Sequence, residues 1–383
     1  MALQLTLVRQ KYTPFGGAER FVSCALEALA AKGVAVRVIA RSWSGESNFD
    51  LERCSPFHIG RLWRDTSFGR AVCQRLSRPE MGLVQSHERI PCCDIYRAGD
   101  GVHREWLRQR ARQRGRWSDA LSRLGPYHRF LLRAEERLFA SPRLKAVICN
   151  SHMVRAEIQE WFGLPEERLP VIHNGVDSSR FHPGLRDSHR EQIRQQWAIP
   201  PDSPLFLFVG SGFERKGLDA ILRAMAALEE TQCRLLVVGK DSRASHYRRL
   251  SGRLGLTGRI IFAGPQNDVR PFYGAADAFL LPTLYDPFPN VVLEAMACGL
   301  PVVTSYKSGS RDIIIDGVNG YCCDALDLDA LAGHMTRLLD PAARERLGRE
   351  ARKTVEPLTL DRMADEYLAL YRRLLGLNDQ ISL

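Results

Sequence analysis

Residues 204–222, PLFLFVGSGFERKGLDAIL, decide how this chain is read. The apolar run Leu205 to Val209 is short and unbroken, as a strand buried on both faces of a parallel sheet requires. It ends on Gly210, crosses a turn carrying Gly212, Arg215 and Lys216, and passes into an amphipathic helical pattern from Gly217 to Leu228. The rhythm recurs downstream in CRLLVVGK (233–240), RIIFAGP (259–265), AFLLPT (278–283) and PVVTS (301–305). Upstream it recurs in LQLTLV near the start, VAVRVIAR (34–41), GLVQSH (82–87), KAVICNS (145–151) and LPVIHNG (169–175). A polar, Pro-containing stretch around Asp177 to Pro204 separates the two series, and helical patterns such as Ala18 to Ala31 and Val291 to Cys298 lie between the strands.

Strand and helix alternating in two series predict an α/β chain of two Rossmann-like, doubly wound parallel-sheet domains facing across a cleft. The 383 residues suit two such units of roughly 150–200 residues. The expected boundaries are 1–176 and 177–357, with the last helical stretch, 358–383, packing back towards the first domain. Ligands then belong at the carboxyl ends of the strands, facing the cleft.

With 45% hydrophobic and 26% charged residues the composition is globular. The opening MALQLTLVRQKYTPFGGAERF alternates apolar and polar residues instead of building a signal peptide, and no stretch is long and apolar enough to span a bilayer. Ten scattered cysteines lack CxxC pairs or nearby histidines at metal spacing, so neither a zinc site nor a disulfide framework is expected, and a reducing cytoplasm is the expected home. The formal charge is +10, and residues 97–145 hold thirteen Arg or Lys against five Asp or Glu. Arg108, Arg110, Arg112, Arg114 and Arg116 are interleaved there with Trp106, Trp117, Tyr127 and Phe130. Such a surface suits an anionic membrane; it also suits nucleic acid, but no nucleic-acid motif accompanies it.

The segment YDPFPNVVLEAMACGLPVVTS (285–305) sets Asp286 and Glu294 eight positions apart across a helix start. Amides at that start suit sugar hydroxyls or phosphate, and a carboxylate suits a ribose diol. Taken alone, the pair also reads as a helix terminus with a solvated glutamate. VGSGFERKGLD (209–219) puts Arg215 and Lys216 beside a strand end, where two cations stabilise a leaving diphosphate. FGGAERF (15–21) places Gly16 and Gly17 where a ligand approaches the backbone, or where the chain makes a plain tight turn. GxGxxG is absent there, and GxxxxGK[ST] is absent throughout. The single DxD, Asp327 to Asp329, reads as a helix cap, so no metal site is expected.

These segments, with VIHNGVDSSRFHP (171–183), resemble the family 4 retaining glycosyltransferases in order and over nearly the whole chain. The first acidic position is Asp286 where that family usually has Glu. The resemblance implies the GT-B architecture, a nucleotide-sugar donor and no cofactor. It puts the diphosphate on Arg215, Lys216 and Gly17, the ribose on Glu294, and the sugar against Asp286, Phe288, Asn290 and Val291. Within the family, KYTPFGGAERF, RSWSG (41–45), RIPCCDIYRAGDGVHREW (89–106) and AGPQNDVRPFYGAADAFLLPT (263–283) resemble the lipopolysaccharide core glucosyltransferase I group. Asp100 and His103 then stand at the first domain's strand ends and join Asp286 as catalytic candidates, though the first two also read as caps of the helix that follows. That resemblance implies a UDP-hexose donor, UDP-glucose in the first instance, and a heptose of the lipopolysaccharide core, or another lipid-linked glycan, as acceptor. The expected place is the cytoplasmic face of the inner membrane, with the Arg104–Arg143 region on anionic lipid and no nucleic acid. The rival readings are another family 4 transferase moving mannose or an N-acetylhexosamine, a nucleotide-sugar epimerase, and a membrane-binding protein that has lost catalysis.

Overall fold

The structure is a computed structural model and describes residues 3–12, 25–43, 49–78, 81–114, 125–228 and 232–377. The chain divides into two compact units, residues 1–174 with 360–383, and residues 175–359.

The first unit is built on a six-stranded sheet: β1 (Gln4–Tyr12), β2 (Ala35–Trp43), β3 (Asp50–Arg53), β4 (Leu83–Ser86), β5 (Ile95–Arg97) and β6 (Ala146–Ile148). Their order is β3-β2-β1-β4-β5-β6, and the pairings are parallel. Successive strand residues face opposite sides, so the sheet has two apolar faces to cover. Leu5 and Leu7 join one cluster and Val8 the other. The Val8 cluster is closed by helices Gly60–Arg75, Pro126–Phe139 and His152–Phe162, through Phe68, Val72, Leu138, Val154 and Ile158. The opposite cluster takes Leu26 and Leu29 from helical residues 25–31, and Met363, Tyr367, Leu370 and Tyr371 from the C-terminal helix Leu360–Leu374. The end of the chain therefore completes a core begun by its first strand. Tyr371 Oη also donates to Gln85 Oε1 at 2.7 Å, tying that helix to β4.

The second unit repeats the plan with β7 (Leu205–Val209), β8 (Arg234–Val238), β9 (Ile260–Gly264), β10 (Ala278–Leu281), β11 (Val302–Ser305) and β12 (Gly320–Cys323). Their order, β12-β11-β10-β7-β8-β9, is the first sheet's order read from its other edge. Helices Leu218–Ala227, Asn290–Ala297, Leu328–Arg337 and Pro341–Val355 contribute buried residues to its single large core. Both units are thus doubly wound parallel sheets, as the alternation predicts. Asp327 caps its helix by accepting from the Ala330 N–H at 2.9 Å, the capping role read from the DxD.

One expectation is corrected. Cys73 and Cys92 form a disulfide, with Cα atoms 5.5 Å apart. The helix Gly60–Arg75 presents Cys73 to the segment after β4, a proximity that a sequence separation of 19 does not announce. The other described cysteines form no disulfide and are buried. No described helix is long and apolar enough to cross a membrane.

Candidate active site

In the second sheet β7 lies beside β10, where the winding reverses direction, the place in a doubly wound sheet where ligands bind at the carboxyl ends of the strands. Gly210 and Gly217 shape the turn after β7, with φ of 152° and 80°. A side chain at Gly210 would strike the Lys216 stem, with Cδ at 2.5 Å, and one at Gly217 would meet the Pro282 carbonyl oxygen at 1.9 Å. The Arg215 carbonyl accepts from Leu284 N–H and from Thr283 Oγ1, both at 2.8 Å, which ties the turn to the end of β10.

Asp286 is held on both sides of its peptide: its N–H donates to Lys307 O at 3.0 Å, and its carbonyl accepts from Gly309 N–H at 2.8 Å. Its Oδ2 lies 3.0 Å from Arg215 Nη1 and 3.3 Å from Lys216 Nζ. Asp286 is 7% exposed and Lys216 8%. Burial pushes the Asp286 carboxyl up, but Arg215 and Lys216 outweigh it and hold the group below its ordinary value. Burial pulls the Lys216 ammonium down, with Asp286 opposing. The three groups form one ionic cluster in which Asp286 is the counter-ion.

The helix Asn290–Ala297 begins after Pro289, and no side chain caps it. Its first turn carries Asn290 and Val291. Phe288 is 4% exposed and belongs to the core, so its side chain anchors the turn. Glu294 Oε2 accepts from Tyr273 Oη at 2.8 Å, and the same hydroxyl lies 3.3 Å from the Val291 carbonyl oxygen. Tyr273 is 1% exposed, and burial, reinforced by Glu294, holds its hydroxyl protonated far above the ordinary value. Tyr273 was not singled out by sequence, because it lies 21 residues before Glu294 on another helix.

The first unit keeps Asp100 and His103 apart in character. Asp100 is largely exposed, 3.9 Å from Arg89. His103 opens the helix His103–Arg114 and is 9% exposed; its N–H donates to Glu135 Oε1 at 2.6 Å and its Nε2 lies 3.0 Å from His128 Nδ1. Burial, with Arg89 and His128, pushes the ring down to about 3, so it stays neutral and is a weak base. Gly16 and Gly17 lie outside the described residues. In the basic region Arg104 pairs with Glu136, Arg108 pairs with Glu105 and Glu160, and Arg110 is 8% exposed. Arg112, Arg114, Arg129, Arg133 and Arg137 are exposed.

Two doubly wound sheets, one with a cation pair and an uncapped helix start at its switch point, define a two-domain α/β enzyme of the GT-B type. The family model described as "Glycosyltransferase Family 4" matches residues 15–180, and that described as "Glycosyl transferases group 1" matches residues 189–354. The chain belongs to this glycosyltransferase family.

It is 28% identical over 357 residues to the lipopolysaccharide glucosyltransferase WaaG of Escherichia coli (strain K12), covering 91% of this chain and 89% of that one. It is also 28% identical over 359 residues to the lipopolysaccharide core biosynthesis glycosyltransferase LpsE of Rhizobium meliloti (strain 1021), covering 93% and 95%. An uncharacterized glycosyltransferase of Methanocaldococcus jannaschii is 32% identical over 231 residues, 59% of each chain. The crystal structure of WaaG superposes with a TM-score of 0.82 at 26% identity, covering 96% of this chain and 99% of that one.

Proposed function

We propose that this protein transfers a hexose, glucose in the first instance, from a UDP-sugar to a heptose of a lipopolysaccharide core, with retention at the anomeric carbon. The place of reaction is the cytoplasmic face of the inner membrane. What carries the reading is the cation pair Arg215 and Lys216 at the carboxyl end of β7, held by Asp286. The names of two relatives that align along most of the chain, a lipopolysaccharide glucosyltransferase and a core biosynthesis glycosyltransferase, support the sugar and the acceptor class.

In this mechanism the donor diphosphate lies on Arg215 and Lys216, the ribose on Glu294, and the sugar against the turn Asp286 to Val291. The bond from the anomeric carbon to the diphosphate breaks, and its electron pair leaves on the phosphate oxygen, where the two cations stabilise the charge without a metal ion. The acceptor hydroxyl oxygen bonds to the same face of the anomeric carbon, and its proton passes to the departing phosphate. A front-face path agrees with Asp286 serving as counter-ion, since its Oδ2 is engaged by both cations instead of attacking carbon. Asp100 and His103 lie on the acceptor side, His103 as a neutral positioning group.

Membrane attachment is supported by the exposed stripe Arg129, Arg133 and Arg137, one helical turn apart, and by exposed Phe57, Ile59 and Trp63. The test of function is calorimetric titration with UDP, GDP and ADP in EDTA, followed by transfer assays with UDP-hexoses and core acceptors. Saturable UDP binding that survives EDTA is expected. Absence of nucleotide binding would sink the transferase reading, and preference for GDP would change the donor.

A further inference from the structure

The first unit holds a cavity of about 330 Å³ at the carboxyl ends of β1 and β2 and beside the segment leaving β4. That is the switch point of its sheet, where β1 lies against β4, and the volume is at the lower end of the roughly 300–1,000 Å³ usual for small-molecule sites. Five cations line it: Arg9, Lys11, Arg41, Arg64 and Arg89. Three acids face them, and their engagements differ.

Asp65 accepts from Arg64 Nε at 2.8 Å, from Tyr127 Oη at 2.9 Å and from Gln10 Nε2 at 3.1 Å. Arg89 is matched by Glu135 at 3.0 Å, with Asp100 at 3.9 Å. Glu88 accepts from the Gln10 N–H at 2.9 Å, and burial raises its carboxyl. Arg64 and Arg89 thus have carboxylate partners. Arg41 and Arg9 have only neutral hydrogen-bond partners among the described residues. Arg41 donates to the carbonyls of Pro56 and Arg64 at 2.9 and 2.8 Å and lies 3.0 Å from His58 Nδ1. It is 8% exposed, and its Nε has no partner. Arg9 donates to the Lys11 carbonyl and lies 3.2 Å from His87 Nδ1. Burial, with Arg97 and Arg9, pushes His87 well below its ordinary value, so this imidazole stays neutral and neither adds to the charge nor cancels it.

A buried guanidinium without a carboxylate is costly unless an anion arrives to meet it. Tyr127 and Phe130 add aromatic wall beside these cations, the apolar surface a sugar ring packs on. We propose that this cavity receives an anionic sugar of the acceptor, carrying a phosphate monoester or a carboxylate, with Arg9, Lys11 and Arg41 as its counter-charges. The proposal rests on the glycosyltransferase reading and deepens it: the acceptor is selected for its charge as well as its hydroxyl.

The test titrates the intact protein with glucose 6-phosphate, glucuronate, inorganic phosphate and glucose, and separately with UDP. The same series is run on Lys11→Gln and Arg9→Gln after thermal melts confirm that both variants are folded. Expected are binding of at least one charged sugar above glucose and above inorganic phosphate, weakened by added salt. Each variant should lower that affinity about tenfold and leave UDP affinity unchanged. Equal binding of charged and neutral sugars, or unchanged affinity in both variants, overturns the proposal. Inorganic phosphate matching the sugar phosphate overturns the sugar and leaves an ion site only. Charged-sugar binding in a protein that binds no nucleotide would uphold the cavity and remove the transferase reading, so the two failures are distinguishable.

Discussion

Arg215 reaches Asp286 and the Tyr285 carbonyl through Nη1, so the rest of its five-donor fork can turn to a diphosphate while the counter-ion stays in place. Lys216 uses one of three donors on the same carboxylate. In the proposed mechanism Lys216 acts on the leaving group, so for Lys216→Ala transfer should fall by about 10²–10³ in kcat. Tyr273→Phe should act differently, because the hydroxyl orients Glu294 and touches no phosphate. The expected result is a donor KM raised about three- to tenfold with kcat nearly unchanged, as for one lost hydrogen bond. Steady-state kinetics on both variants separates the roles; a kcat loss in Tyr273→Phe would refute its positioning role. At this scale the sequence displayed the charged residues but hid their partners. Arg215, Lys216 and Asp286 could be named from strand ends and helix starts, whereas the Tyr273–Glu294 bond joins two helices that no spacing relates. The Phe288 side chain packs into the core.

Strands with unbroken apolar runs are legible, even the three-residue Ala146–Ile148 within KAVICNS, and mixed ones are not. Leu205 to Val209 is buried throughout, so its composition reveals it. DLER of β3 is an edge strand with three exposed residues, IYR of β5 ends on Arg97 after two apolar residues, and GYCC of β12 lacks any apolar alternation, so none stands out as a strand. LPVIHNG was read as a strand, yet only Val171 pairs there, with Cys149. What joins elements is also hidden when it is ionic. Asp277, at the start of β10, receives Arg186, Arg190 and Arg194 at 3.2, 2.9 and 2.7 Å, all from helix Leu185–Gln196, together with the Leu205 N–H at 2.9 Å. Burial pushes the Asp277 carboxyl up, but the arginines and the amide outweigh it, and the net shift is downward. A depressed carboxyl contributes stability that is full above the unfolded value, about 3.9, and is lost as pH falls through the folded value. Asp277→Asn leaves the buried Arg194 and the half-buried Arg190 without their charge partner and should cost about 3–5 kcal/mol at pH 7. Denaturant titrations at pH 7, 4 and 3 should show the gap between wild type and variant narrowing only below about pH 4. A gap that is constant across this range would show that the cluster is not ionic.

At the scale of the whole molecule, two doubly wound units are implied by the two strand series, while the shared strand order and the distribution of charge needed coordinates. The basic region between Arg104 and Arg143 looks uniform as a string, yet folding spends part of it internally: Arg104 and Arg108 meet carboxylates, and Arg110 is buried. Exposed positions survive as Arg112, Arg114 and the stripe Arg129, Arg133 and Arg137. Beside that stripe's helix packs helix Gly60–Arg75, joined to it by the Tyr127–Asp65 hydrogen bond of 2.9 Å and by Arg61 over the Tyr127 ring. Ahead of and within its first turn, Phe57, Ile59 and Trp63 are 73%, 71% and 48% exposed. The proposed membrane binding through these surfaces would have two separable parts. Arginines near an anionic surface contribute about 1 kcal/mol each, a part that salt screens, so Arg129→Gln, Arg133→Gln and Arg137→Gln together should weaken vesicle binding roughly a hundredfold at low salt. Apolar insertion is insensitive to salt, so Phe57→Ser with Trp63→Ser should remove the binding that persists at high salt. Co-sedimentation with vesicles containing anionic lipid, over a range of salt, reads both. If neither set changes the partition, the membrane contact lies elsewhere; if only the arginine set acts, the apolar residues have another partner.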